Sequence, residues 1–133
     1  MIGLDTNVLV RYFADDESKQ AAAVRELLET RLTREAPGHV NAVTLAETTW
    51  VLRRLYAADR SELERVVEGI LSAPNLVVER KAVVRRALQA YAGSKSAGFS
   101  DCLIARFNDE AGCDTTLTFD RRAAKLGGFT LLA

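Results

Sequence analysis

The sequence predicts an α/β domain built on a mostly parallel sheet, and three observations carry that expectation. Short apolar segments at residues 2–4, 39–43, 76–78, 115–119 and 129–132 alternate with longer stretches whose apolar residues recur at helical spacing. Strands that alternate with helices imply parallel pairing through helical crossovers, with both faces of the sheet covered. The 133 residues, 48% of them hydrophobic, suffice for one such core without disulfides or a structural metal.

Taken in order, residues 2–4 read as a short buried strand and residues 6–13 as the helix leading away from it. Asp15, Asp16, Glu17 and Ser18 open a second helix, with acids in the first turn where the helix dipole favours them. Ala22, Val24, Leu27, Leu28 and Leu32 continue it, and Pro37-Gly38 breaks the chain before a strand at residues 39–43. Residues 44–56 form the clearest helix, with Leu45, Thr48, Val51, Leu52 and Leu55 on one face. Ser61 starts the next, which Pro74 stops; the two make a helical hairpin inserted between strands. A third strand at 76–78, a helix at 83–91, a loop at 93–99 and a helix at 100–110 follow. The chain closes with a strand at 115–119, a short helix at 121–126 and a last strand at 129–132. No repeat, linker or low-complexity tract interrupts the series, so one domain over residues 1–133 is expected.

Composition excludes several functions. Lys plus Arg and Asp plus Glu are 18 each, giving zero net charge, which argues against a large footprint on duplex DNA. Cys102 and Cys113 form no CxxC pair and His39 is the one histidine, so a zinc finger is excluded and a histidine-based nucleophile site rests on one residue. The cysteines read as small core residues in a reducing compartment, and His39 as an edge or surface residue. Asp5 follows Met1-Ile2-Gly3-Leu4 at once, leaving no signal-peptide pattern, and no apolar run nears the roughly 20 residues of a membrane span. A cytoplasmic protein without membrane contact is expected.

Four acids stand where apolar segments give way to turns or helix starts: Asp5, Glu47, Asp101 and Asp120. Each has a structural explanation. Thr44-x-x-Glu47 reads as a capping box, and Asp5, Asp101 and Asp120 stand where helix caps belong. Together they suggest more. Ligands of open α/β sheets bind outside the carboxyl ends of the strands, where these positions converge if the sheet forms as expected. Several carboxylates at one edge suit Mg²⁺ or Mn²⁺, which prefer oxygen ligands. One or two such ions orient and acidify a water and offset charge on a phosphodiester, and no histidine is needed.

The four segments resemble the motifs of the PIN-domain family, in particular the VapC-type toxins of toxin–antitoxin pairs. Gly3-Leu4-Asp5-Thr6-Asn7-Val8-Leu9 resembles the first acidic motif, and Thr44-Leu45-Ala46-Glu47-Thr48-Thr49-Trp50-Val51-Leu52 the segment bearing the family's Glu. Phe99-Ser100-Asp101-Cys102-Leu103-Ile104-Ala105 resembles the third motif and Leu117-Thr118-Phe119-Asp120-Arg121 the fourth. The resemblance covers essentially the whole chain. It implies a three-layer α/β/α domain acting as an endoribonuclease toxin of a type II system, dependent on one or two Mg²⁺ or Mn²⁺ ions. Asp5, Glu47 and Asp101 would be the main catalytic and metal-holding acids, with Asp120 completing the set. Thr6, Asn7 and Thr118 would position water or phosphate. The implied partners are an RNA substrate, a small VapB-type antitoxin lying across the cleft, and a second copy of the chain.

Other features are open at this level. Arg11, Arg53, Arg54, Lys95, Arg121, Arg122 and Lys125 either meet phosphate or solvate helix faces, and Arg80, Lys81, Arg85 and Arg86 either extend an RNA track or confer solubility. Trp50, Leu52, Leu55 and Tyr56 either form a groove for a partner helix or fill the hairpin core. Tyr12, Phe13 and Phe99 are the candidates for base stacking. Two rival readings of the whole remain. One is a phosphoryl-transfer domain with Asp5 as nucleophile, although Asn7 stands where a phosphatase needs a second Asp. The other is a binding module whose acids only cap helices.

Overall fold

Side-chain caps and buried apolar stripes decide where each segment starts and stops. The computed structural model describes residues 1–14 and 18–133. The acids expected to open the second helix, Asp15 to Glu17, lie outside the described residues. The chain divides into two compact units, Met1–Glu79 and Arg80–Ala133.

In the first unit, β1 (Ile2–Gly3), β2 (Gly38–Val40) and β3 (Leu76–Val78) form an all-parallel sheet with β2 in the middle. Gly3 stands opposite His39, and His39 opposite Val77. His39 is thus a half-buried residue of the central strand rather than an edge residue. The crossover from β1 to β2 runs through α1 (Thr6–Ala14) and α2 (Lys19–Glu26), and that from β2 to β3 through α3 (Ala42–Tyr56) and α4 (Arg60–Ser72). Ser18 caps α2, its side chain accepting from the Ala21 N–H at 3.1 Å. α2 then widens into a π turn over Leu27–Arg31, a change of period that apolar spacing alone does not reveal. Gly38 is a glycine for want of space. A Cβ there would lie 2.9 Å from side-chain carbons of both Leu4 and Leu32.

The start of α3 corrects the sequence reading. Its cap is Asn41, whose side chain accepts from the Thr44 N–H at 2.8 Å, while Glu79 Oε1 accepts from the Ala42 N–H at 2.8 Å. Two orphan donors of the first turn are thereby satisfied, and Thr44-x-x-Glu47 is not a capping box. Leu45, Thr48, Thr49 and Leu52 are buried, whereas Leu55, expected on that face, is exposed near the helix end. The buried hydroxyls bond back to their own helix, Thr48 to the Thr44 carbonyl at 2.7 Å and Thr49 to that of Ala46 at 2.9 Å. Asp59, two residues before the expected opening at Ser61, caps α4 by accepting from the Glu62 N–H at 2.8 Å. Leu63, Val67, Ile70 and Leu71 form its buried stripe.

In the second unit, α5 (Lys81–Ala92) and α6 (Phe99–Glu110) pack together. Val84, Ala87 and Leu88 on one and Cys102 and Leu103 on the other are buried, and Tyr91 meets Phe99 edge-on at 5.7 Å. β4 (Thr116–Thr118) and β5 (Phe129–Leu131) pair in parallel around a single 3-10 turn at Ala123–Lys125, shorter than the helix expected there. Thr115 and Thr130 share a hydroxyl hydrogen bond at 2.6 Å. Arg106 donates to the Gly127 carbonyl and pairs with Asp109 at 3.0 Å, tying α6 to the approach to β5. Gly112 ends α6 with φ 92°, a conformation open to glycine, and delivers Cys113 to solvent. Cys102 is a core residue as expected; Cys113 is not.

Candidate functional site

Two predicted acids lie in each unit. Asp5 follows β1, and its carboxylate caps α1 by accepting from the Val8 N–H at 3.2 Å. The side chain is exposed at the positive end of a nine-residue helix, where the dipole favours its charge. Glu47 sits in the second turn of α3, exposed, and its Oε1 accepts from the Thr6 hydroxyl at 3.1 Å. A buried contact helps to set that geometry: the Thr44 hydroxyl donates to the Leu4 carbonyl at 3.5 Å, docking the first turn of α3 on the end of β1. Thr44 is therefore a positioning residue, which its reading as a cap had concealed.

Beside Asp5, an open groove of about 560 Å³ is lined by Asn7 and Arg11 from α1 and by Gln20, Ala23 and Val24 from α2. Glu47 is not among its lining residues.

In the second unit, Asp101 is the third residue of α6 and receives a hydrogen bond from the Gly98 N–H. Burial holds its carboxyl above the ordinary range, the charge of Asp120 pushes it further up, and the Gly98 N–H opposes both. Asp120 follows β4. It accepts from the backbone N–H groups of Arg122 at 2.8 Å and Ala123 at 3.4 Å, while its own N–H donates to the Thr118 hydroxyl at 3.0 Å. Thr118 thus orients the turn that carries Asp120.

The structure brings Asp101 and Asp120 within mutual repulsion, and Thr6 to Glu47. Among the described residues, no three His, Cys, Asp or Glu side chains are gathered closely enough to hold a metal ion. Nor is any of the four acids ion-paired with a basic side chain among those residues.

A sequence profile of the PIN domain matches residues 2–128, a span that includes all four acids. The chain belongs to the PIN-domain family, and within it to the VapC-type proteins. It is 30% identical over 125 residues to a VapC ribonuclease of Aquifex aeolicus (strain VF5), covering 93% of this chain and 90% of that protein. The α/β class and the parallel strand pairing expected from the sequence agree with that family.

The donor chemistry of this PIN domain fits a hard divalent cation. Its acids offer oxygen alone, their partners are hydroxyl and backbone N–H groups, and Asp101 and Asp120 repel one another. Several other sequence candidates have different places. Arg80 and Arg86 both pair with Glu110, at 3.9 and 3.0 Å, on the surface of the second unit. Phe99 is buried, which removes it as a stacking surface, while Tyr12 and Phe13 pack edge-on at 5.2 Å and line a cavity with Leu9, Leu28 and Ile70. Leu52 is core while Trp50, Leu55 and Tyr56 are exposed. Among the described residues, no helix is long and apolar enough to cross a membrane.

Proposed function

We propose that this PIN domain is a divalent-metal-dependent endoribonuclease, the toxin of a type II toxin–antitoxin pair. The observation that carries the reading is the family match over residues 2–128 together with the VapC ribonuclease relative, which covers nearly the whole chain. We assign Asp5, Glu47, Asp101 and Asp120 as the catalytic acids and as the candidates to hold one or two Mg²⁺ or Mn²⁺ ions, with residues 1–133 read as one nuclease domain.

When bound, such ions supply an activated water and offset negative charge on the phosphodiester. The protein's own residues do the rest. Thr6 fixes one oxygen of Glu47, so that carboxylate does not have to be ordered during the reaction. The Val8 N–H at the start of α1 holds the Asp5 carboxylate in place, and Thr118 holds the turn from which Asp120 projects. Asp101 gives up its proton less readily than an ordinary aspartate, a preference that a bound cation would oppose. Arg11 and Asn7 line the groove beside Asp5, where a phosphate and a ribose of the substrate find room.

The proposed partners are an RNA substrate, a VapB-type antitoxin and a second copy of the chain, all in the cytoplasm. The phosphoryl-transfer and non-enzymatic readings find no support in the family match. The test is cleavage of a mixed RNA pool by antitoxin-free protein with Mg²⁺, with Mn²⁺ and with EDTA, beside Asp101→Ala. Metal-dependent cleavage that disappears in the variant is the expected result. An unchanged rate in Asp101→Ala removes the assignment.

A further inference from the structure

One face of α3 is unexplained by packing. Its buried residues, Thr44, Leu45, Thr48, Thr49 and Leu52, occupy one side. At about 100° per residue, Val43, Glu47, Trp50 and Arg54 fall within a narrow stripe on the opposite side, and all four are exposed. Trp50 is 57% exposed, and the Arg54 guanidinium lies over its ring, 5.7 Å from the centroid. The chain has a single tryptophan, and it is spent on the surface.

We infer that Trp50, with the Arg54 guanidinium near one face of its ring, is a base-stacking platform for single-stranded RNA beside Glu47. The inference rests on the ribonuclease reading above and adds the place where the strand is gripped. Trp50 lies three residues beyond Glu47 and Arg54 four beyond Trp50, about 4.5 and 6 Å along the helix axis. A phosphodiester held at Glu47 therefore has a flat apolar ring within one nucleotide's reach and a cation one turn further.

The charge order favours this occupant. A nucleotide presents an aromatic base and an anionic phosphate, which match an indole and a guanidinium. The acidic end of the stripe is the proposed metal site itself. A dry protein interface, by contrast, is depleted of glutamate at its centre. Of the other aromatic candidates, Phe99 is buried, and Tyr12 and Phe13 are only half-exposed and in contact edge-on, whereas Trp50 is 57% exposed. The second unit repeats the pattern in its own way, since Phe119 is 71% exposed immediately before Asp120. An exposed aromatic face three residues from Glu47 fits a single strand with splayed bases rather than a duplex whose bases are stacked away.

Because Trp50 is the sole tryptophan, its fluorescence reports the contact directly. Asp101→Asn protein, chosen to prevent cleavage while leaving α3 intact, is titrated with single-stranded oligo-uridine and oligo-adenosine, and with an abasic ribose-phosphate oligomer of equal length. Binding is followed in parallel by anisotropy of end-labelled RNA. The expected result is quenching by the oligomers with bases and not by the abasic one. Trp50→Ala should raise the Kd about 5- to 100-fold, the loss of one base–aromatic stack, and Trp50→Phe should restore most of it. Arg54→Gln should weaken binding and lessen its salt dependence. Thermal midpoints of the Trp50 variants should match the parent's, which a structural role would not allow.

Bound RNA without quenching, or Trp50→Ala binding as tightly as the parent, overturns the inference and leaves the ribonuclease reading standing. So does a loss of self-association in Trp50→Ala with RNA affinity unchanged, which makes the stripe a subunit contact. Wild-type protein that neither binds nor cleaves RNA removes both readings together.

Discussion

The Thr6 hydroxyl and the Glu47 carboxylate, 41 residues apart in sequence, are joined by a hydrogen bond of 3.1 Å. It links the first turn of α1, directly after the acid Asp5, to the second turn of α3. One residue of the first acidic motif thereby orients the acid of the second. Thr44, whose hydroxyl reaches the Leu4 carbonyl, reinforces the same junction from the buried side.

Thr6→Val keeps the shape of the side chain and removes the donor. Both partners are accessible to water, so the expected loss of stability is small, about 0.5 kcal/mol. The expected effect on RNA cleavage is larger, roughly 10-fold in kcat, about the worth of one hydrogen bond to a charged group. Thr6→Ser should recover most of it. Thermal melts and single-turnover cleavage measure the two effects, and equal rates in Thr6→Val and wild type would remove the orienting role.

Asp120 has two separable duties. As a cap it accepts from the Arg122 and Ala123 N–H groups, and as a proposed metal-site acid it supplies charge. Asp120→Asn preserves an oxygen acceptor and discards the charge. Its thermal midpoint should stay near that of wild type, while cleavage should fall on the order of 100-fold. Asp120→Ala loses both functions and should also cost about 1 kcal/mol of stability. Full activity in the Asn variant would reduce Asp120 to a cap.

The succession of strands and helices was readable because apolar spacing changes between short runs and 3.6-residue stripes. The acids were readable in part: Asp5 stands just past β1 and caps α1 as its position suggested, whereas Asp120, just past β4, accepts from a turn because the helix expected to begin at Arg121 does not form. Cap assignment failed at α3 for a definite reason. Asn41 and Thr44 are both cap-forming residues three apart, and a capping box with Glu47 was the more familiar pattern. The structure gives the cap to Asn41 and leaves Glu47 free to meet Thr6. The π turn at Leu27–Arg31 left no trace because buried Val24, Leu28 and Leu32 keep an interval of four through it. The exposure of Trp50 was hidden as well, because a tryptophan flanked by Val51 and Leu52 resembles core.

Ala57 ends α3 in the left-handed conformation, φ 54° and ψ 30°, with its N–H bonded to the Leu52 carbonyl. That conformation costs a non-glycine residue about 1 kcal/mol, and glycine adopts it freely. The gain is partly offset by the greater freedom of glycine in the unfolded chain. Ala57→Gly should therefore stabilise the protein by roughly 0.5 kcal/mol, read as a shift of the denaturant midpoint at constant slope. A lower midpoint would show that the terminal turn relaxes by another route.

Asp101 supplies a pH dependence whose sign follows from its surroundings. Its carboxyl titrates above the ordinary value of 3.8, chiefly because it is partly buried and secondly because Asp120 is near. Between the unfolded and folded values the folded protein binds more protons, so this group's contribution lowers stability as pH rises through that window. Above the window the charged Asp101 is a standing cost; below the ordinary value the cost is gone. Asp101→Asn, whose amide oxygen can still accept from the Gly98 N–H, should be more stable than wild type at neutral pH. The difference should close as pH falls through the same window. Mg²⁺ acts in the opposite sense. It should raise the wild-type melting temperature at neutral pH by mass action, do less as acid returns the proton to Asp101, and leave Asp101→Asn nearly unmoved. Melting followed by circular dichroism from pH 3 to 8, with and without Mg²⁺, measures both trends on the order of degrees. A stability difference that widens toward acid pH would contradict the raised carboxyl, and an Mg²⁺ shift equal in both proteins would take Asp101 out of the metal site.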